Sequence, residues 1–150
     1  MAGRVDFYRL TRDPAEQLVP LLAEKLLAGG GRVLVVARDG DARQRLDTAL
    51  WAARPASFLP HGMADAPDAA GEPILIAPGL DTPPPNGARH VLLADGEWRD
   101  DALGFDRSFL LFDNSRIDDA RAAWRKLNAA GGCELHFWKQ DDRGRWSEGT

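Results

Sequence analysis

Arg32-Val33-Leu34-Val35-Val36-Ala37 decides how the rest of the chain is read. The run is apolar and rich in β-branched residues. It lacks the alternation of a half-buried strand, so both of its faces must be covered, as in the middle of a parallel sheet. Gly29-Gly30-Gly31 stands directly before it and reads as the end of a helix. That helix opens at Asp13-Pro14, an N-cap followed by proline at the first helical position. It carries Leu18, Leu21, Leu22, Lys25 and Leu26 at helical spacing, with Pro20 in its early turns as the one discordant residue. Residues 4–10 alternate and are rich in Val, Phe and Tyr, which predicts a first strand. On the other side, Asp39-Gly40-Asp41 caps a second helix over about 41–53, whose stripe is Ala42, Leu46, Ala49, Leu50 and Ala53. Arg54-Pro55 ends it.

The pattern continues to the C-terminus. Residues 62–72 are small and acidic and read as an exposed loop. Residues 73–77 form a strand, and the segment from Leu80 to Gly87, with Pro83-Pro84-Pro85, is another loop. Further strands are expected at 90–94 and 109–112. Asn114-Ser115 caps a helix over about 116–128, Gly131-Gly132 stops it, and 134–139 is a last strand. Residues 141–150 form a polar, frayed tail that Trp146 pins in part. Strands alternating with helices imply right-handed crossovers. The expected fold is α/β: a single domain over residues 1–150, Rossmann-like and three-layered. Its mostly parallel mixed sheet carries helices on both faces and has no phosphate-binding loop.

A chain of 150 residues, 44% hydrophobic and 28% charged, suits one core. No apolar run approaches the roughly 20 residues that span a bilayer. Met1-Ala2-Gly3-Arg4-Val5-Asp6 lacks the apolar segment of a secretory signal. Cys133 is the only cysteine, which rules out an internal disulfide. It reads as a reduced, small buried hydrophobe, in keeping with a cytoplasmic protein. The net charge of −4 argues against sequence-blind binding to a phosphate backbone. A local basic patch on such a chain suits an acidic peptide better than DNA.

Nucleotide chemistry is poorly supported. The first strand-to-helix connection, Leu10-Thr11-Arg12-Asp13-Pro14, contains no glycine, whereas a dinucleotide fingerprint needs glycines for backbone amides to approach a pyrophosphate. No GxxxxGK[ST] loop occurs, and Gly29-Gly30-Gly31 follows a helix rather than opening one. His61, His90 and His136 lie far apart, with no short pair of metal ligands. No serine stands in a GxSxG elbow, although a dispersed triad is not detectable from sequence. The carboxylates are scattered and mostly expected in solvent. Neither cofactor nor metal is expected.

Two surfaces are more informative. In the helix over 116–128, Ile117, Ala120, Trp124 and Leu127 share a face, with Arg121 at its margin and Arg125 one turn on. An edge of that kind holds an apolar side chain and a carboxylate together, though solvated arginines on an amphipathic helix are also ordinary. The second is Leu46-Asp47-Thr48-Ala49-Leu50-Trp51, followed by Phe58-Leu59-Pro60-His61. It places Trp51, Phe58 and Leu59 around a connection, where large apolar groups either fold onto the core or meet a partner.

The pattern LDxALW…FLPH resembles the chi subunit of the bacterial DNA polymerase III holoenzyme. Val5-Asp6-Phe7-Tyr8, residues 32–37 and 72–77, and Arg121, Trp124 and Arg125 follow in the family's order and spacing. The resemblance implies a chain without catalysis of its own. Such a chain links the clamp-loader assembly to single-stranded DNA-binding protein and contacts DNA only indirectly. It implies that the acidic C-terminal tail of that protein, ending in phenylalanine, docks on the helix around Arg121, Trp124 and Arg125. A guanidinium suits the terminal carboxylate and an apolar pocket suits the ring. Ile117 occupies a family lysine position, and neighbouring Arg116 is expected to supply that charge instead. The resemblance further implies that Trp51, Phe58 and Leu59 meet the psi subunit or a helicase, and that His61 has a structural role. Two rivals stand beside this reading. One is a nucleotide-utilising enzyme on the same scaffold. The other is a direct single-stranded DNA binder stacking bases on Trp51, Trp98, Trp124, Trp138 and Trp146.

Overall fold

A computed structural model describes residues 3–52, 60–80 and 84–149. The apolar run at 32–37 is strand β2 (Val33–Val36), all four residues buried. Around it lie β1 (Arg4–Arg9), α1 (Ala15–Ala28), α2 (Gly40–Ala52), β3 (His61–Met63), β4 (Ile74–Ala77) and β5 (His90–Leu93). They are followed by β6 (Arg107–Phe112), α3 (Ile117–Ala130), β7 (Glu134–Gln140) and β8 (Trp146–Gly149). The eight strands form one sheet in the order β3-β4-β2-β5-β6-β1-β7-β8. All pairings are parallel except β7 with β8.

Alternation along each strand sorts the core into two layers. Val5 and Phe7, Leu34 and Val36, and Leu110 and Phe112 face α3, meeting Ala120, Ala123 and Leu127. Tyr8, Val33, Val35, Phe109 and Leu111 face α1 and α2, meeting Leu18, Val19, Leu22, Leu46 and Leu50. Helices therefore cover both faces of a mostly parallel mixed sheet, as the sequence predicts.

Several local expectations differ from the structure. In α1 the buried face is Leu18, Val19, Pro20, Leu22 and Ala23, while Leu21 is exposed. The stripe is rotated because Val19 and Ala23, four apart, take the place given to Leu21. Pro20 is accommodated inside the helix. Strand β3 overlaps the start of the loop expected at 62–72; a three-residue edge strand containing glycine carries no β-branched signal. The tail is not simply frayed. β8 pairs with β7, placing Trp146 opposite Gln140, and the Trp146 ring stands edge-on to Tyr8 at 5.2 Å. One aromatic anchor compensates for an otherwise polar strand. Before α3 the side chain of Asp113, not Asn114 or Ser115, accepts the Ser115 N–H at 2.9 Å, and a 3-10 turn over Asn114–Arg116 leads into the helix. Gly131, with φ of 69°, ends it as its N–H donates to the Leu127 carbonyl.

Asp6 departs from the expectation of solvated carboxylates. It is fully buried, and accepts from Arg4 Nη2, Arg107 Nε and Trp138 Nε1, each at 2.9 Å. Burial alone would push its carboxyl up, but these three donors hold it below the usual carboxylate value. The group ties β1 to β6 and β7 on the α1/α2 side of the sheet.

Candidate functional site

Ile117, Ala120, Arg121, Trp124 and Arg125 recur at i, i+3, i+4, i+7 and i+8 along α3 and so share one edge of the helix. Facing them, β1 brings Phe7 and Arg9, β6 brings Phe112, and β7 brings Phe137 and Lys139. Together these side chains line a cleft of about 480 Å³. Its floor is aromatic. Trp124 stands edge-on to Phe7 with centroids 5.1 Å apart, and edge-on to Phe137 at 6.4 Å. Phe112 meets both phenylalanines at 6.4 Å. Phe7 belongs wholly to the core, whereas Trp124 and Phe137 are half-buried and keep surface on the cleft.

Cations make the rim. Arg9, Arg121, Arg125 and Lys139 line the cleft, and among the described residues no carboxylate does. Among the described residues none of the four has an ion-pair partner. Arg9 Nη2 donates to Asn114 Oδ1 at 3.2 Å, while its Nε is buried without a partner. Several arginines elsewhere are paired, Arg38 with Glu97, Arg45 with Glu16, Arg89 with Asp106, and Arg99 with Asp95, while Arg32 and Arg43 donate to backbone carbonyls. Arg121 and Arg125 are like charges at i and i+4, an arrangement that costs helix stability. Arg9 and Lys139 are Cα partners in the β1/β7 ladder, where like charges opposite each other are also unfavourable. The chemistry of an aromatic cleft ringed by cations without ion pairs among the described residues matches a ligand with an apolar group and carboxylates.

The structure brings Arg121, Trp124 and Arg125 to this cleft and places Arg116 elsewhere. Arg116 Nη1 contacts Asp119 Oδ2 at 3.2 Å, and its side chain packs over Gly96, a residue at φ of 76°. Ile117 takes the cleft position with an apolar side chain. The sequence reading missed Phe7, Arg9, Phe112, Phe137 and Lys139, because strand residues reach α3 only through the sheet order. A detectable signal exists in two strands: an aromatic residue followed two positions later by a cation, Phe7/Arg9 and Phe137/Lys139.

On the opposite side of the sheet, Trp51 is 60% exposed near the end of α2. Its ring stands edge-on to His61 at 4.8 Å, and His61 Nε2 is 3.0 Å from Asp47 Oδ1. His61 thus ties β3 to α2, in keeping with a structural role. Phe58 and Leu59 lie outside the described residues.

A second depression follows the C-terminal strand ends, where nucleotides bind in many α/β folds. Its lining includes Arg12, Arg45 and Arg116, but also Asp13, Glu16, Asp39, Asp95 and Asp113. The amides that would cradle phosphate are occupied. Those of Arg12 and Asp13 donate to Gln140 Oε1, that of Arg38 to Asp95, and that of Ala42 to Asp39. Carboxylates where a phosphate would sit disfavour the nucleotide reading. Cys133 is half-buried, and burial pushes its thiol up, away from thiolate chemistry. Among the described residues no cluster of His, Cys, Asp and Glu could hold a metal ion, and no helix is long and apolar enough to cross a membrane.

Comparison with known proteins gives the fold and the cleft a family. The model of the "DNA polymerase III chi subunit, HolC" family matches residues 2–136. The chain is 38% identical over 78 residues to DNA polymerase III subunit chi of Escherichia coli K12, covering 47% of this chain and 53% of that protein. It is 37% identical over 86 residues to the protein of the same name from Pseudomonas aeruginosa, covering 55% and 58%. The chain spans about half the length of these curated relatives. It belongs to the DNA polymerase III chi subunit family.

Proposed function

We propose that this chi-family chain is a non-catalytic connector of the DNA polymerase III assembly. It joins the clamp loader to single-stranded DNA-binding protein by docking that protein's acidic, phenylalanine-terminated C-terminal tail. The observation that carries this reading is the cleft between α3 and the ends of β1, β6 and β7: an aromatic floor under four cations without ion pairs among the described residues. A phenyl ring suits the floor, and carboxylates suit the rim. One anchored residue gives modest affinity. Many tails presented by one coated strand raise the effective concentration and hold the assembly in place.

Trp51, exposed beside His61, is the described part of a second contact surface for a psi subunit or a helicase, away from the cleft. Both surfaces could then be occupied at once, as a connector requires.

Titration of the chain with a labelled acidic peptide ending in phenylalanine, and separately with a labelled single-stranded oligonucleotide, tests the reading. Saturable peptide binding with only weak oligonucleotide binding is expected. Tight oligonucleotide binding without peptide binding would favour the direct DNA-binding alternative.

A further inference from the structure

The side of the cleft away from α3 is closed by the C-terminal hairpin. The family match ends at residue 136, so Phe137, Lys139 and all of β8 lie beyond it. Alternation along β7 puts Phe137 and Lys139 on the α3 side of the sheet. β8 runs antiparallel beside it, with Gly149 opposite Phe137 and Ser147 opposite Lys139. The alternation of β8 is one of size. Trp146 and Glu148 point to the far side, where the indole stands edge-on to Tyr8 and the carboxylate meets His136. Ser147 and Gly149 fall on the cleft side and are small. The turn before β8 is fastened as well: the amides of Arg12 and Asp13 donate to Gln140 Oε1, and Gln140 Nε2 donates to Asp13 Oδ2 at 2.7 Å.

Glycine inside a strand weakens it and often marks a close approach. Gly149 is not one of the glycines held at positive φ, so its conformation does not call for glycine. Its surroundings do. A β-carbon built there would stand 3.2 Å from Phe137 Cδ1 and 3.5 Å from Lys139 Cδ and Cε. Lys139 thus leans its stem toward Gly149, diagonal to its ladder partner Ser147. Phe137 has β8 on one flank and Phe112 and Trp124 on the other, each with ring centroids 6.4 Å away. Bulk added at 149 drives the ring toward Trp124 and narrows the cleft.

We propose that β8 is a positioning strand for the cleft: the bare surface at Gly149 is the shelf against which the Phe137 ring and the Lys139 stem rest, and glycine stands there to keep the cleft open. The inference rests on the peptide-docking reading above for its binding readout and on the packing of Phe137 for its structural one.

The test compares the unaltered chain with Gly149→Ala, Gly149→Val, Lys139→Ala and the double variant Gly149→Val/Lys139→Ala. Each is melted, and each is titrated with an acidic phenylalanine-terminated peptide. Valine suits a strand better than glycine, so Gly149→Val is expected to melt no lower than the unaltered chain. It should nevertheless bind the peptide roughly threefold to tenfold more weakly, the scale of one ordinary hydrogen-bonded contact. Gly149→Ala should fall between the two, and it serves should valine undock the strand. In the Lys139→Ala background Gly149→Val should cost less, because one of the two groups it displaces is gone. A crystal structure of Gly149→Val should show the Phe137 ring moved toward Trp124. Unchanged binding with Phe137 in place would overturn the proposal, as would a loss of binding that merely follows a loss of folded protein. Failure of the unaltered chain to bind the peptide would overturn the docking reading, and the position of Phe137 in Gly149→Val would still decide whether Gly149 is its shelf.

Discussion

Trp124 and Phe7 stand edge-to-face with ring centroids 5.1 Å apart, so one indole is at once a wall of the cleft and a cover for the core. Its outer surface faces the cleft while the ring shields a phenylalanine that is fully buried. On the docking reading, binding and stability are therefore coupled at this position.

Trp124→Ala is expected to lose about 2–3 kcal/mol of stability, less than the ~3–5 kcal/mol typical of a fully buried aromatic because the indole is half-exposed. It should also lose tail-peptide binding. Trp124→Phe keeps an edge for Phe7 and is expected to recover most of both. Urea denaturation beside peptide titration checks this; a Trp124→Ala protein with unchanged stability would remove Trp124 from the core.

Arg121→Ala separates the two properties. Removing it is expected to cost about 1.5–3 kcal/mol of peptide binding, the scale of a hydrogen bond to a charged group. Folding stability should hold or rise by a few tenths of a kcal/mol as the i, i+4 repulsion with Arg125 is relieved. Arg125→Ala should have a smaller effect on affinity, and added salt should weaken binding throughout. Isothermal titration at two ionic strengths reads all three.

The fold was legible because its signals are local. The unbroken apolar run at β2, the alternation at β1 and the glycines after α1 and α3 each fix an element without reference to its neighbours. Half of the cleft was legible for the same reason, since Arg121, Trp124 and Arg125 share one helix edge. The other half was not. Arg9 and Lys139 are 130 positions apart in sequence and meet only because β7 joins the sheet beside β1. Arg116 shows the converse: adjacent to Ile117 in sequence, it turns away to Asp119. Strand β8 was missed because one tryptophan carries nearly all of its packing.

Asp6→Asn should be destabilising. The buried carboxylate neutralises Arg4 and Arg107 at once. Its loss is expected to cost about 2–3 kcal/mol, below the ~3–5 kcal/mol for a fully buried pair because both arginines are about one-third exposed. The carboxyl lies below its ordinary value of 3.8 in the fold. Its contribution is thus complete above that pH and is lost as pH falls through the depressed folded value. Acid unfolding of Asp6→Asn should show a shallower pH dependence than that of the unaltered chain.

His136 has the opposite sign. Glu134, foremost, and Glu148 accept from its ring and raise it above its ordinary value of 6.5. The stabilisation is complete below about pH 6.5 and is lost as pH rises through the raised folded value. Because Glu148 lies on β8, the β7/β8 pairing is where the loss appears. Hydrogen exchange of the β8 amides should accelerate with alkalinity beyond its intrinsic pH dependence, and His136→Gln should abolish the excess. Equal excess in both proteins would assign the effect to another group.

The most direct measurement is a crystal structure of the chain bound to an acidic peptide ending in phenylalanine. The terminal ring is expected in the cleft against Trp124 and Phe137, with peptide carboxylates at the cationic rim formed by Arg9, Arg121, Arg125 and Lys139. A peptide seated in the depression at the strand ends, or against Trp51, with the α3 cleft left open, would contradict the docking reading.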